Sequence, residues 1–331
     1  MKVVLIPGDG IGPEVAAAAR EVVAATGVAI DWVIAHAGAA AAERFGDPLP
    51  EATLALVREH RVALKGPCTT PIGEGFRSIN VRMRQALDLF ASVRPVRTLP
   101  GVKVPFERVD LVVVRENTEG LYSGLEHVVV PGVIEGLRIV TRAAAERIVR
   151  FAFELVRREG RRRVTFCHKV DVLRLSDGLF LDCARTVAEE FPFMEFEERR
   201  IDNLCMELAL DPSRFDVLVM ENLFGDVISD LCAGLVGGLG LVPGANIGVR
   251  YAVFEAVHGS APDIAGKGVA NPSAQILAAA MMLDHLGELD RAERIRRAVV
   301  DTIVTDNVRT RDLGGIASTL EFGSAVARRV A

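Results

Sequence analysis

The chain has 331 residues, more than the ~150 residues of a typical single domain, so it can form two lobes or one large α/β unit. The length excludes a peptide-sized scaffold, and a composition of one half apolar and one quarter charged residues argues against wholesale disorder. Its 39 basic and 44 acidic residues give a net charge of −5, so the chain lacks the excess of positive charge that would indicate nucleic-acid binding.

The cysteine content predicts a protein of a reducing compartment. Five cysteines are scattered along the chain and never spaced as CxxC, which argues against a disulfide framework and against a zinc module. The first apolar run is five residues long, too short for a secretory signal or a membrane span. We therefore expect a cytoplasmic protein without a membrane or nucleic-acid partner. The cysteines are Cys68, Cys167, Cys183, Cys205 and Cys232.

The chain alternates between strand and helix patterns. It begins with a β-branched run at 3–6, turn residues at 7–13 and an alanine-rich stretch of helical spacing at 14–26. The same alternation recurs further along. It predicts strands over 29–35, 62–65, 111–114, 164–168 and 215–220, and helices over 51–61 and 143–158. Strands separated by helices predict an α/β fold with a largely parallel sheet covered on both faces.

The glycine-rich turn at 8–13 (GDGIGP) has the setting of a dinucleotide-binding loop, because it follows a strand and precedes a helix. Its details differ from that fingerprint. Pro13 stands where the third glycine should be, and Asp31 falls inside the predicted second strand. We therefore expect a non-Rossmann turn, which either lets the backbone approach a ligand or only joins strand to helix.

Three arginines lie at positions suited to ligand binding. Arg84 falls on a predicted short helix, Arg94 ends an apolar run before Pro95, and Arg115 ends the strand LVVV, seven residues before Tyr122. Guanidinium groups bind both oxygens of a carboxylate and stay charged. A single arginine is more often a solvated surface charge, but three together predict a pocket for a polycarboxylate.

Residues 127–141 (HVVVPGVIEGLRIVT) interrupt the α/β pattern with two β-branched runs around turn residues. They predict a small antiparallel pair of strands. Exposed strand edges pair readily with other chains, so the pair is either a dimerisation arm or a hairpin packed on its own lobe.

Two carboxylates, Asp226 and Asp230, stand four residues apart at a predicted helix start. This spacing places them on one face, where they repel unless a cation lies between them. Oxygen ligands favour a hard ion such as Mg²⁺ or Mn²⁺. The alternative, acids placed in the first turn to offset the helix dipole, explains Asp226 better than Asp230.

In combination these segments resemble the metal-dependent β-decarboxylating dehydrogenases, the family of isocitrate, 3-isopropylmalate and homoisocitrate dehydrogenases. The resemblance implies a two-lobed, non-Rossmann α/β fold with a mostly parallel sheet and a small antiparallel dimer arm at about 125–142. Residues 1–90 with 238–331 would form the large cofactor-binding lobe, and 91–237 the small lobe for substrate, metal and dimerisation. The matching segments are LIPGDGIGPE, KGPCTTPIG, RQALDLFASVRP, RENTEGLYSG, HKVDVLRLSDGLF, NLFGDVISDL, GGLGLVPGANIG and HGSAPDIAGKGVANP.

The resemblance also implies an active site shared by two subunits of a homodimer. Arg84, Arg94 and Arg115 would hold the substrate carboxylates. Asp226 and Asp230, with Asp202 from the other subunit, would hold Mg²⁺ or Mn²⁺ and so lower the pKa of the substrate hydroxyl. Lys169, also from the other subunit, would assist proton removal before hydride transfer. After loss of CO₂, Tyr122 would protonate the product.

Residues 258–272 resemble the adenosine loop of this family. Asp263 and Ile264 stand at the positions that discriminate between nucleotides. A carboxylate there accepts hydrogen bonds from the ribose diol and repels a 2′-phosphate, so we expect NAD rather than NADP. The expected cofactor-binding residues are Ile11, Thr69, His258, Gly259, Ser260, Ala261, Pro262, Asp263, Ile264 and Asn271.

The expected substrate is a small 2-hydroxy di- or tricarboxylic acid, and residues 76–80 (FRSIN) bear on which one. An isopropyl group needs an apolar wall, whereas a third carboxylate needs donors, which Ser78 and Asn80 supply. Isocitrate is therefore favoured. Homoisocitrate remains an alternative, since its one additional methylene changes discrimination by only about 1–3 kcal/mol, and 3-isopropylmalate is a further alternative.

One residue departs from the family pattern. Where the family usually reads HKAN, residues 168–171 read HKVD, which places the acid Asp171 beside the expected base. An anion near a bound tricarboxylate weakens its binding unless Arg174, the metal or the nicotinamide offsets it. A catalytically silent regulatory subunit is a further alternative, but it should have lost part of the arginine, tyrosine, lysine and aspartate set, which is complete here.

Overall fold

The computed structural model describes residues 1–70 and 77–331. Its strands are β1 (Lys2–Ile6), β2 (Asp31–Ile34), β3 (Val62–Lys65), β4 (Ala91–Arg97), β5 (Asp110–Glu116), β6 (Gly120–Val130), β7 (Val133–Ile139), β8 (Arg163–His168), β9 (Glu195–Arg200), β10 (Val217–Met220), β11 (Pro243–Ile247) and β12 (Ala252–Ala256). Its α-helices are α1 (Gly12–Ala25), α2 (Ala39–Phe45), α3 (Glu51–His60), α4 (Ile79–Ala86), α5 (Arg142–Glu159), α6 (Ser176–Glu189), α7 (Ile201–Leu210), α8 (Asn222–Leu235), α9 (Ser273–His285), α10 (Leu289–Val304) and α11 (Thr319–Val330).

Ten strands form one sheet in the order β2-β1-β3-β12-β11-β4-β5-β10-β8-β9. The pairs at both ends of the sheet are parallel, and the three pairs in the middle, β12–β11, β11–β4 and β4–β5, are antiparallel. The expected mostly parallel α/β sheet is thus confirmed, and the strands predicted up to 215–220 end within two residues of the observed ones. Strands of the two predicted lobes meet at the β11–β4 pair, while the lobe boundaries stay a prediction.

Helices cover both faces of the sheet. Along β5, Val112 and Val114 belong to one buried apolar cluster, whereas Leu111 and Val113 belong to another. Successive side chains of a strand point to opposite faces, so both faces of this strand are buried. In the described parts of the chain, no helix combines the length and apolar character that crossing a membrane requires.

Strands β6 and β7 form a separate antiparallel pair, as the sequence predicts, although it begins at Gly120, before the expected arm. Its apolar side chains face solvent: Val128 is 65% exposed and Ile134 is 68% exposed. Apolar residues concentrated on an exposed pair of strands are typical of a surface that another chain covers.

Helix α8 packs closely on β5 because residue 225 is glycine. A Cβ atom built at Gly225 would lie 2.6 Å from both Cβ and Cγ of Arg115, closer than two carbon atoms can approach. The helix that carries Asp226 and the strand that carries Arg115 are therefore held in direct contact.

We expect Gly225→Ala to lower the free energy of unfolding by about 1–3 kcal/mol, because the added methyl group forces the helix and Arg115 apart. Gly234→Ala on the same helix is the control, since a Cβ there meets nothing within 4 Å. Alanine favours a helix over glycine, so that variant should be unchanged or more stable by up to about 1 kcal/mol. Urea unfolding measures both, and equal stability of the two variants would contradict the packing argument.

Candidate active site

The predicted arginines and acids meet where β4, β5 and α8 pack together. Arg94 lies in the middle of β4, not at the end of a run as its sequence indicates, and the neighbouring Ser92 pairs with Arg115 of β5. Arg94 places Nη2 3.5 Å from Oδ1 of Asp226 and Nη1 3.3 Å from Oδ1 of Asp230. Arg115 also pairs with Asp226. Two of the three arginines therefore lie beside these acids.

Tyr122 joins the same cluster, since its hydroxyl donates a hydrogen bond to Oδ2 of Asp226. Its ring lies under the guanidinium of Arg115, with 4.9 Å between the guanidinium carbon and the ring centroid. Burial, together with the hydrogen bond to Asp226, raises the pKa of the Tyr122 hydroxyl. The phenol is therefore protonated at neutral pH and can act as a proton donor.

The three arginines are almost fully buried: Arg84 is 7%, Arg94 8% and Arg115 1% exposed. Burial, together with the charge of Arg115, lowers the pKa of Arg84 to about 10. Burial and the charge of Arg115 also lower the pKa of Arg94. The three guanidinium groups repel one another, and this repulsion favours binding of an anion with several carboxylates.

Asp226 and Asp230 differ in their ionisation. Burial raises the pKa of Asp226, but the charge of Arg115 and the hydrogen bond from Tyr122 outweigh it, so this pKa lies below its ordinary value. Burial raises the pKa of Asp230 above its ordinary value. Both carboxylates face the guanidinium of Arg94, each next to a different nitrogen of that group.

This donor set fits a hard divalent ion, because both groups are carboxylate oxygens one helical turn apart. Among residues 1–70 and 77–331, no group of three histidine, cysteine, aspartate or glutamate side chains is arranged to hold a metal. Within the described residues, Asp226 and Asp230 therefore have no third side chain of these types placed to complete a metal site.

Lys169 and Asp202 form a second cluster, at the end of β8 and the start of α7. Nζ of Lys169 lies 3.1 Å from Oδ2 of Asp202 and 3.1 Å from Oδ2 of Asp171. These two hydrogen bonds raise the pKa of Lys169. Within the described part of the chain, no ion pair joins Lys169 or Asp202 to the arginine cluster. A single chain therefore holds the expected residues in two groups.

Arg138 of the β6–β7 pair lies against elements of both groups, and sequence reasoning missed it. Its Nη1 is 2.6 Å from Oδ1 of Asp177, whose other oxygen accepts a hydrogen bond from the backbone N–H of Lys169. Its Nη2 is 3.6 Å from Oε2 of Glu221, whose side chain caps α8 by accepting from the N–H of Phe224. The arm is thus connected to the Lys169 segment and to the helix of the acids.

A pocket of about 100 Å³ adjoins Arg84 and Arg94 and contains a buried ion pair that the sequence analysis did not identify. Lys65, at the end of β3, pairs with Glu255 of β12. Burial raises the pKa of Glu255, but the charges of Lys65 and Arg84 bring it down to about 2. The available signal was a charged residue within or ending an otherwise apolar strand, at Lys65 and again at Glu255.

Asn80 faces the same pocket, and its Oδ1 is buried without a hydrogen-bond partner among the described residues. Ser78, directly before α4, is exposed, whereas Ile79 between them is buried in the core. The described part of this wall is therefore polar. Phe76 and the end of the KGPCTTPIG segment lie outside the described residues.

The expected cofactor segments also meet. The backbone N–H of Ile11 donates to the carbonyl of Ser260 at 2.9 Å, and the hydroxyls of Thr69 and Ser260 are 2.7 Å apart. Asp263 and Ile264 lie on the short helical turn that follows, and the carbonyl of Asp263 accepts from Lys267 at 2.7 Å. Three chain segments thus form one concave corner.

The remaining cofactor candidates lie at the ends of the same loop. His258 lines the pocket beside Lys65, and burial lowers its pKa, so it is neutral at pH 7. Gly259, Ala261 and Pro262 continue the segment, with Ala261 in the left-handed region at φ 40°. Asn271 is buried and donates to Oδ2 of Asp312 at 2.8 Å.

The chain belongs to the isocitrate/isopropylmalate dehydrogenase family, whose sequence profile matches residues 2–326. This confirms the family and the fold that the sequence motifs imply, and makes the protein an oxidoreductase of that family.

Similar proteins carry more specific names. The mitochondrial NAD isocitrate dehydrogenase catalytic subunit 5 of Arabidopsis thaliana is 52% identical over 97% of this chain and 86% of its own length. The chloroplastic 3-isopropylmalate dehydrogenase of Solanum tuberosum is 50% identical over 93% of this chain and 87% of its own. A crystal structure of isocitrate dehydrogenase from Methylococcus capsulatus aligns with a TM-score of 0.97 at 52% identity, covering 99% of both chains.

Proposed function

We propose that this chain oxidises isocitrate with NAD and releases CO₂, giving 2-oxoglutarate. The observation that carries the proposal is the cluster of three buried arginines beside Asp226 and Asp230, a site built for a small anion with several carboxylates. The names of the Arabidopsis and Methylococcus relatives support isocitrate and, for the former, NAD.

The polar wall of the pocket favours isocitrate over 3-isopropylmalate. The side-chain NH₂ group of Asn80, which lines this pocket, can donate hydrogen bonds to a third carboxylate, whereas a branched alkyl group offers it no acceptor. Oxidation of 3-isopropylmalate is the second candidate because the Solanum relative bears that name at 50% identity. Homoisocitrate, one methylene longer, is the remaining alternative.

In the proposed reaction Arg84, Arg94 and Arg115 hold the substrate carboxylates, with Ser78 and Asn80 at the third. Asp226 and Asp230, with Asp202 of the partner subunit, would hold Mg²⁺ or Mn²⁺. That ion, when bound, supplies Lewis-acid polarisation of the hydroxyl and adjoining carboxylate. Lys169 of the partner subunit would assist removal of the hydroxyl proton as hydride leaves for NAD, and Tyr122 would donate a proton to carbon after CO₂ departs.

The cofactor is proposed to lie across the corner formed by Ile11, Thr69 and the 258–264 segment. Asp263 would accept hydrogen bonds from the adenosine ribose and repel a 2′-phosphate, which selects NAD. We further propose two lobes, 1–90 with 238–331 and 91–237, and a homodimer in which the exposed β6–β7 pair is covered by the second copy. The free cysteines suit the cytoplasm, although the named Arabidopsis relative is mitochondrial.

NADH formation tests the activity. Purified protein with NAD and Mn²⁺ should turn over isocitrate with a kcat/KM at least about tenfold above that for homoisocitrate or 3-isopropylmalate. A chelator should abolish the rate and added Mn²⁺ should restore it. Faster oxidation of 3-isopropylmalate would replace the proposal by the second candidate, and no turnover of any acid would favour a silent subunit.

Subunit mixing tests the shared site. Tyr122→Phe and Lys169→Met should each be nearly inactive as homodimers, because each removes one group from both sites. After unfolding and refolding of an equal mixture, hybrid dimers contain one intact site, so about a quarter of wild-type activity should return. No recovery, with hybrid dimers demonstrated by mass, would show that one chain supplies both groups.

Asp171 offers a charge test of substrate choice. Removing its negative charge by Asp171→Asn should lower KM for the trianion isocitrate about threefold and change KM for the dianion 3-isopropylmalate less, because the repulsion scales with substrate charge. Steady-state kinetics at low ionic strength measure both. Kinetics that are unchanged on every acid would show that Asp171 acts on neither affinity nor choice.

A further inference from the structure

The turn between β1 and α1 carries a carboxylate that the proposed reaction does not use. Asp9 accepts hydrogen bonds from three backbone N–H groups of two other segments. They are those of Thr69 at 2.7 Å, Ala39 at 2.9 Å and Ala40 at 3.2 Å. One side chain thus ties the N-terminal turn to the start of α2 and to the segment after β3.

These segments touch through their backbones. A Cβ atom at Gly8 would lie 2.0 Å from the carbonyl oxygen of Pro67, and one at Gly10 would lie 2.0 Å from that of Ser260. Both glycines have positive φ, at 76° and 59°. A Cβ at Gly38 would lie 1.9 Å from Oδ2 of Asp9 itself. The carboxylate therefore sits in a space that only glycine neighbours leave open.

What Asp9 holds is part of the expected cofactor site. The N–H that it fixes belongs to Thr69, whose hydroxyl is 2.7 Å from that of Ser260. Two successive hydrogen bonds, from Asp9 to Thr69 and from Thr69 to Ser260, therefore connect Asp9 to the adenosine loop, although Asp9 lies outside that loop. Its oxygens already receive three donors, so it acts through Thr69 and Ser260.

A second carboxylate on the same unit holds the far end of the loop. Glu14, in the first turn of α1, accepts a hydrogen bond at 3.1 Å from the N–H of Gly268. Asp9 and Glu14 are five residues apart, and they accept hydrogen bonds from Thr69 and from Gly268, which follows Ile264 by four residues.

We infer that Asp9, with Glu14 as its counterpart, is a positioning residue for dinucleotide binding, which it serves by fixing the Thr69 and Gly268 segments before the cofactor arrives. The inference rests on the proposed function for the identity of the nucleotide. Preorganised segments bind a ligand more tightly because their ordering is complete in the free protein.

The test is Asp9→Asn, which keeps the shape but loses one acceptor and turns an NH₂ group towards backbone donors. Loss of one such contact should raise the Kd for NADH about tenfold. NADH fluorescence measures this without any acid present. The KM for NAD should rise in parallel, while kcat and the KM for the acid change less than about twofold.

Asp216→Asn is the matched control. Asp216 accepts hydrogen bonds from the N–H groups of Arg162 at 2.7 Å and Arg163 at 3.1 Å, and it pairs with Arg161. Like Asp9, it bonds to backbone N–H groups of another segment, but it lies directly before β10, whereas the acids of the candidate site follow the end of that strand. It should lower the melting temperature and leave NADH binding unchanged. A purely structural role for Asp9 would give its variant the same outcome and would overturn the inference.

The two proposals fail separately. NADH binding that weakens in Asp9→Asn, with no turnover of any acid by the wild type, would overturn the proposed function alone. A wild-type protein that does not bind NADH would overturn both. If Asp9→Asn does not fold, Glu14→Gln replaces it, with a Kd about threefold higher expected from its weaker acceptor, and an unchanged Kd overturns the inference.

Discussion

Repulsion among three buried guanidinium groups is the constraint on which the centre of this protein depends. Arg84, Arg94 and Arg115 come from a helix and two neighbouring strands, and each would be costly to bury alone. They are tolerated because Asp226, Asp230 and Glu255 face them from α8 and β12. The sheet therefore brings distant parts of the chain together so that acidic side chains offset the charge of the arginines. A polyanionic ligand can offset the same positive charge in place of those acids.

That balance is uneven in a useful way. Glu255 forms a buried ion pair with Lys65 and stays ionised far below neutral pH, so it contributes a constant negative charge to the pocket. Asp230 is half exposed and its pKa is raised, so it is the more readily re-partnered of the two acids on α8. Tyr122 keeps its proton because burial and the hydrogen bond to Asp226 both raise its pKa. The cluster thus combines a proton donor, Tyr122, with a carboxylate held in a buried ion pair, Glu255, and a carboxylate free to change partners, Asp230.

The sequence identified what is local. Asp226 and Asp230 reveal their common face by spacing alone, and Arg115 is marked by the apolar strand it ends. The sequence did not predict the Lys65–Glu255 ion pair, because 190 residues separate the two residues and only the β3–β12 pairing brings them together. The antiparallel centre of the sheet escaped for the same reason, since a strand pattern does not encode which neighbour it pairs with. Asp9 lay inside a recognised turn, but its partners Ala39 and Thr69 come from elsewhere.

The arm residue Arg138 gives the fold an unusual economy. Through Asp177 it bears on the backbone of Lys169, and through Glu221 on the cap of the helix that carries Asp226. If those two groups serve different active sites of a dimer, the single guanidinium of Arg138 helps to position residues of both sites. A substitution of Arg138 would then disturb the positions of Lys169 and of the acids on α8 together, and so affect both sites of the pair.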